Sequence, residues 1–367
     1  MIKYSSLESE YLIHLLRCAL KSEKPEKAPD GLDWNALFEL SKSQQVYSVI
    51  THVIDLNSVP AEFSQELELY SQTELLRMLA MKSELDGITE DLNEMNIPFM
   101  LVKGSVIRNY YPLQKMRQMS DVDILYKKEN QKELIAYMKK RGYRLRTSEA
   151  NSDDFSKPPY YTFEFHRCIF DERDAFSPDF DLWKRAVQDS ERTAEYHIND
   201  EDMLIYALCH MYDHYCVAGC GIRFVCDIYV LMNSFENLDW NYINKTFSDF
   251  NFKPFCDTAI GLSKAVFGEK EIAENEQKLL DFIMSGGVYG TQKSLDEVIE
   301  QKYNGSKFKY ILKRMFPPSR QMKSVYPILS KLPFLLPFFY PVRIIQSLKY
   351  SQKTVKKELN SLKKHKQ

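Results

Sequence analysis

No stretch of the 367-residue chain is both long enough and free enough of proline to span a bilayer. Net charge is nearly absent as well: 49 Lys and Arg face 51 Asp and Glu, a formal −2. No global basic field therefore recruits nucleic acid, and specific DNA binding is not expected. Aromatic residues make up 13%, but they are scattered and form no platform on which successive bases would stack. The seven cysteines lack the paired Cys-x-x-Cys spacing of a zinc ribbon, and no signal-peptide pattern opens the chain. They fit a reduced, cytoplasmic protein rather than a disulfide scaffold. What is present is 44% hydrophobic content, enough for a sizeable core and more than one folding unit.

Periodicity and breakers divide the chain into four segments. Residues 1–92 read as helical. Asp33 caps a run of helix-spaced apolar positions, and Pro60 to Asn96 has almost no breakers and reads as one long helix. Residues 93–190 read as a mixed sheet, with strands at Phe99 to Val102, Met119 to Leu125, from Tyr143, and Tyr160 to Phe170. Glu129 to Arg141 is its amphipathic helix, closed by Gly142, and the polar stretch Asn151 to Pro159 reads as a loop over the site. Residues 195–300 return to helix, opened by Asn199-Asp-Glu-Asp202 and broken at Gly219-Cys-Gly221. Arg223 and Asp227 stand one turn apart there, in position to pair. The fold class expected is α/β (α+β), a mixed sheet between N-terminal and C-terminal helical segments.

The fourth segment, 301–367, differs in character. Tyr326 to Pro341 is apolar but cut by four prolines, and Arg343, Lys349, Lys353, Lys356, Lys357, Lys363, Lys364 and Lys366 then face only Glu358. It reads either as a strap packed on the body with a soluble basic tail, or as a peripheral contact to an anionic membrane.

Asp121 and Asp123 carry the most chemical information. On a strand they leave the same face about 6 to 7 Å apart, and like charges that close are costly unless a cation lies between them. A divalent metal that also holds phosphate oxygens is one solution; an edge strand with two solvated aspartates is the plainer one. By the same repulsion argument, Asp123→Asn should leave the metal-free fold as stable or more stable. Upstream, Lys103-Gly104-Ser105 joins a strand to a short helix. Gly104 lets the backbone approach a ligand, Ser105 can cap the helix, and a helix N-terminus suits phosphate. Glu164 and His166 share one face of a later strand.

Other patterns carry less. An EF-hand loop would need further oxygen ligands and a glycine after Asp123. A haloacid-dehalogenase motif would need apolar residues where Arg117-Gln-Met-Ser120 stands. Asp179 and Asp181 suit a helix start. His210 and His214, one turn apart among Cys209, Cys216, Cys220 and Cys226, have the spacing to share a metal, though the apolar setting suits packed thiols.

Lys103-Gly104-Ser105, Arg117 and Ser120-Asp-Val-Asp-Ile-Leu125 together resemble the nucleotidyltransferase fold of the DNA polymerase β superfamily. The resemblance is greatest to its minimal branch, in the group of uncharacterised nucleotidyltransferases often encoded beside surface-polysaccharide genes, and covers roughly residues 90 to 235. It implies that Asp121, Asp123 and Glu164 bind Mg²⁺ or Mn²⁺ and are catalytic, Glu164 completing the site or taking the acceptor's proton. Lys103, Gly104, Ser105, Arg117 and Ser120 would grip nucleotide phosphates, and His166 and Arg223 would contact substrate. The implied reaction moves a nucleoside monophosphate from a nucleoside triphosphate to a hydroxyl of a sugar, protein or RNA. A non-catalytic nucleotide-binding or regulatory relative stays open, as does a toxin- or antitoxin-type transferase. Whether Glu164 faces the aspartates separates enzyme from binder.

Overall fold

In a computed structural model of the chain, described for residues 2–350 apart from 149–150, 160, 170–179, 218, 289, 291–305 and short pieces between 318 and 327, helices begin where the sequence supplies caps. α1 (Leu7–Lys21) starts at Ser6, whose side chain accepts from the Ser9 N–H. α2 (Trp34–Ser43) starts at Asp33, which accepts from the Ala36 N–H. After the single turn α3 (Tyr47–Ile50), α4 runs unbroken over Ala61–Glu94. It stops where Asn96 turns to a φ of +53°, a conformation asparagine tolerates better than most residues.

The sheet comprises β1 (Phe99–Val102), β2 (Val122–Tyr126), β3 (Arg144–Ser148), β4 (Ser152–Lys157), β5 (Tyr161–His166), β6 (Val187–Gln188) and β7 (Glu195–His197). Their order is β3-β4-β5-β2-β1-β7-β6. β2 is central, antiparallel to β1 and parallel to β5. All of its residues are buried because both faces of the sheet are covered. Val122, Ile124 and Tyr126 pack with Phe99, Phe163 and Phe165, with Ile88 and Leu92 of α4, and with Leu134 and Met138 of α6 (Gln131–Lys140). Leu125 faces the other way, toward Met100, Val102 and Tyr206. The period of two thus separates two buried layers rather than core from solvent.

One expectation needs correction. Asn151 to Pro159 is not a loop: residues 152–157 form β4, which pairs with both β3 and β5. Its polar sequence is accommodated because the fully buried Asp153 accepts from Tyr126 Oη at 2.8 Å and pairs with the Arg167 guanidinium. The two helical segments share packing. Leu12, Phe38 and Phe63 from the N-terminal side share one core with Leu204, Leu208, Val225, Phe267 and Ile283. The latter lie on or among α7 (Asp200–Val217), α8 (Ile222–Ser234), α9 (Trp240–Asp249), α10 (Lys253–Phe267) and α11 (Glu274–Gly286). The sheet also reaches past residue 190, since β7 lines the outer side of β1 in parallel.

At the C-terminal end, α12 (Lys307–Met315), α13 (Ile328–Lys331) and α14 (Leu336–Tyr350) follow. Lys353 and the rest of the basic tail lie outside the described residues, as does Asp179. Asp181 starts a short 3₁₀ turn, accepting from the Trp183 N–H at 3.1 Å. Among the described residues, no helix is long and apolar enough to cross a membrane.

Candidate active site

Register assembles the site. Asp123 of β2 lies opposite Glu164 of β5, and Leu125 opposite His166, so Glu164 and His166 come to the face that carries Asp123. One ligand atom from each of Asp123, Glu164 and His166 lies within 4.8 Å of the other two. On the other flank Val102 of β1 pairs with Asp123, and the next residue, Lys103, donates from its ammonium to Asp123 Oδ1 at 2.5 Å. His166 Nε2 meets the same oxygen at 2.8 Å and stands 3.7 Å from Glu164 Oε2. Lys103 does this from a backbone at φ +55°, ψ −133°, a region that favours glycine.

The charges are unequally balanced. Burial opposes ionisation of Asp123, but Lys103 and His166 outweigh it and hold the carboxyl well below the usual range. Burial also opposes the Lys103 charge; Asp123, Tyr206 and Glu164 outweigh it and keep the ammonium protonated. Asp121 and Glu164 go the other way. Burial raises both, and the neighbouring Asp123 charge adds to the effect. One lysine therefore balances one carboxylate while two more remain costly to ionise. Among the described residues, buried His166 Nδ1 also has no hydrogen-bond partner. Paired carboxylates with an imidazole beside them and surplus negative charge fit a divalent cation.

Asp121 sits just before β2, accepts from Ser120 Oγ at 3.1 Å, and is not part of the 4.8 Å group. The exposed Ser120 accepts from Arg77 through its carbonyl at 2.7 Å. Gly104 begins α5 (Gly104–Ile107), a single turn whose cap position is Lys103, not Ser105. The Ser105 hydroxyl instead donates back to the Val102 carbonyl at 2.7 Å. The room that Gly104 leaves is taken by Met119: a Cβ there would meet its Cγ and Sδ at 3.1 Å. Gly104 thus makes space for packing.

Arg117 is committed to a buried acid of α8. It is buried and forks onto Asp227, Nε to Oδ1 at 2.7 Å and Nη2 to Oδ2 at 2.8 Å, while Tyr111 donates to Oδ1 at 2.7 Å. The pairing expected between Arg223 and Asp227 is corrected accordingly, because Asp227 is held by a residue 110 positions away. Arg223, on the first turn of α8, acts on Asp121 instead, favouring its ionised form. His210 and His214 pack against each other and Phe224. Burial pushes both down, His214 to about 4. Cys209, Cys220 and Cys226 are buried. Sequence reasoning missed Lys103 as the partner of Asp123. The available signal was its position one residue beyond the β1 partner of Asp123.

A mixed sheet with an Asp-x-Asp strand at its centre, and a further acid in register on the parallel neighbour, defines an α+β core with a carboxylate site suited to a metal-assisted transferase. The chain matches the uncharacterised nucleotidyltransferase family over residues 30–268, and it belongs to that family. That class of transferase generally works with divalent metals and nucleoside triphosphates, and the chain holds a cluster able to bind such a metal. No curated protein matches the chain.

Proposed function

We propose that the protein moves a nucleoside monophosphate from a nucleoside triphosphate to a hydroxyl, within the DNA polymerase β superfamily. The observation that carries this reading is the register of Glu164 against Asp123. It gives the site a carboxylate whose burial makes it a stronger base than an ordinary glutamate. Glu164 takes the acceptor's proton, the acceptor oxygen bonds to the α-phosphorus, and pyrophosphate leaves. Asp123 and Glu164, with His166 beside them, are the residues that would hold the cation. Bound there, a divalent ion supplies charge neutralisation on the triphosphate. Lys103 keeps Asp123 ionised and aimed. A non-catalytic binder would not need a base at this register.

The test is a screen of the four nucleoside triphosphates with Mg²⁺ or Mn²⁺, scored by pyrophosphate release. Glu164→Gln should lower turnover at least about a hundredfold with folding stability held or raised, because it removes a carboxylate that burial disfavours. Turnover equal to the parent's would sink the assignment of Glu164.

A second reading concerns the C-terminal end. α12 exposes Phe308, and the turn into α14 and its first residues expose Phe334 and Phe338, each 70% or more accessible. Phe316 and Tyr340 stack edge to face at 5.3 Å, and Tyr340 Oη donates to the Pro317 carbonyl, tying these pieces together. No acidic residue occurs between 301 and 357. We propose that this apolar and basic surface lies on an anionic membrane. Flotation with phosphatidylserine vesicles, but not with phosphatidylcholine vesicles, is expected, and Phe334→Ser with Phe338→Ser should abolish it.

A further inference from the structure

A pocket between α3, α4 and the segment that follows α5 has a chemistry unlike that of the carboxylate cluster. Its wall includes Glu74, Arg77, Arg108, Lys115, Arg117 and Gln118. Two of these charges are already balanced. Arg77 pairs with Glu74 at 3.4 Å, and Arg117 is committed to Asp227. Arg108 is not. It is only 6% exposed, and among the described residues its buried Nε and Nη2 have no hydrogen-bond acceptor. Native structures seldom leave a buried guanidinium in that condition.

Burial and the nearby Arg117 cation both work against the charge of Arg108, and among the described residues no carboxylate acts to restore it. The metal-site acids are therefore not its counter-ions. Lys115 brings a further cation at the exposed rim. Gln118 Oε1 is likewise buried and has no donor among the described residues. Two guanidinium nitrogens, an ammonium and one amide oxygen thus belong to residues that line the same pocket. They call for a ligand with two negative charges that also carries an O–H.

We propose that this pocket is a phosphate-binding subsite, separate from the carboxylate cluster, that takes inorganic phosphate or the phosphate of a small hydroxyl-bearing monoester. Arg108 donates to two phosphate oxygens, Lys115 contributes charge from the rim, and Gln118 accepts from the ligand's hydroxyl. The subsite stands whether or not the chain proves to be a nucleotidyl transferase. If it is one, a phosphorylated acceptor could anchor here.

The experiment uses the full chain without nucleotide. Inorganic phosphate and glycerol phosphate are titrated at constant ionic strength, with chloride as control, by calorimetry and thermal shift. Both anions should bind the parent, with chloride silent. Arg108→Met should abolish the binding, and Lys115→Gln, a rim change that leaves the core intact, should weaken it about tenfold. Glu164→Gln should bind as the parent does. Tighter binding of glycerol phosphate than of inorganic phosphate would assign the subsite to a monoester, and the reverse order to free phosphate. A non-hydrolysable triphosphate with Mg²⁺ should add to the phosphate shift. Mutual exclusion would mean that the pocket holds the triphosphate tail, and the separate subsite would be lost. Absence of anion binding by the parent, or an undiminished affinity in Lys115→Gln, would overturn it equally.

Discussion

Two buried aspartates in this molecule make opposite uses of a cation. Asp227 is 3% exposed and Asp123 is 5% exposed. Asp227 spreads the Arg117 fork over both oxygens and adds the Tyr111 hydroxyl. Its charge and geometry are both satisfied, and it fastens the 111–117 segment to α8. Asp123 receives Lys103 and His166 on a single oxygen, next to Asp121 and Glu164, which burial disfavours as anions. The first arrangement is closed; the second has surplus acid and a crowded, directional face. A buried ion pair alone therefore says little about role, whereas the balance of charges around it says much.

The sharpest way to break this comparison is to remove each carboxylate. Asp227→Ala strands the buried Arg117 guanidinium and should cost about 3–5 kcal/mol of folding stability in urea titrations; a loss below about 1 kcal/mol would show that the fastener is ornamental. Asp123→Asn is expected to be milder, about 2 kcal/mol, because Lys103 is partly open to solvent. That reverses the expectation from Asp121–Asp123 repulsion, since Lys103 already neutralises Asp123. Adding Lys103→Met to Asp123→Asn should recover most of the loss, and a purely additive double mutant would remove the coupling.

Smaller effects refine the picture. Lys103 competes with a divalent ion for Asp123, so Lys103→Met should tighten Mn²⁺ binding about tenfold, about 1.4 kcal/mol, read by electron paramagnetic resonance of free Mn²⁺. Weaker Mn²⁺ binding would instead make the lysine a support for the metal site. The smallest effect is a dependence on pH. Glu164 releases its proton in the folded state at a higher pH than in the unfolded chain, so its ionisation opposes folding. The stability of Glu164→Gln relative to the parent should therefore be least below the ordinary glutamate range. It should grow as pH rises toward the raised folded value and level off above it. A difference that shrinks with rising pH would contradict the assigned direction.

How much of this was readable in advance depended on locality. The Asp33 cap, the unbroken α4 and the strands bearing Asp123 and Glu164 rest on neighbouring residues and simple periods, and all four are found. β4 was missed because Ser-Asp-Asp-Phe-Ser-Lys has little strand propensity of its own. It is a strand because β3 and β5 supply its partners and Arg167 neutralises Asp153. The same limit hid the Arg117–Asp227 fork and the common core of the first and last helical segments, contacts that only the folded chain brings together. Lys103 was visible as a residue but not as a counter-ion, because the reach and direction of its side chain come from an unusual backbone turn.

That turn sets a conflict at position 103. The positive φ there suits glycine and costs lysine about 1–3 kcal/mol, yet glycine cannot bring an ammonium to Asp123. Selection for yield and selection for turnover should therefore pull a library randomised at this codon in different directions. Survivors chosen for soluble expression would drift toward glycine or asparagine, preferably with a neutral residue at 123. Survivors chosen for pyrophosphate release would keep lysine. A lineage that had lost catalysis would be free to relax at this one position first.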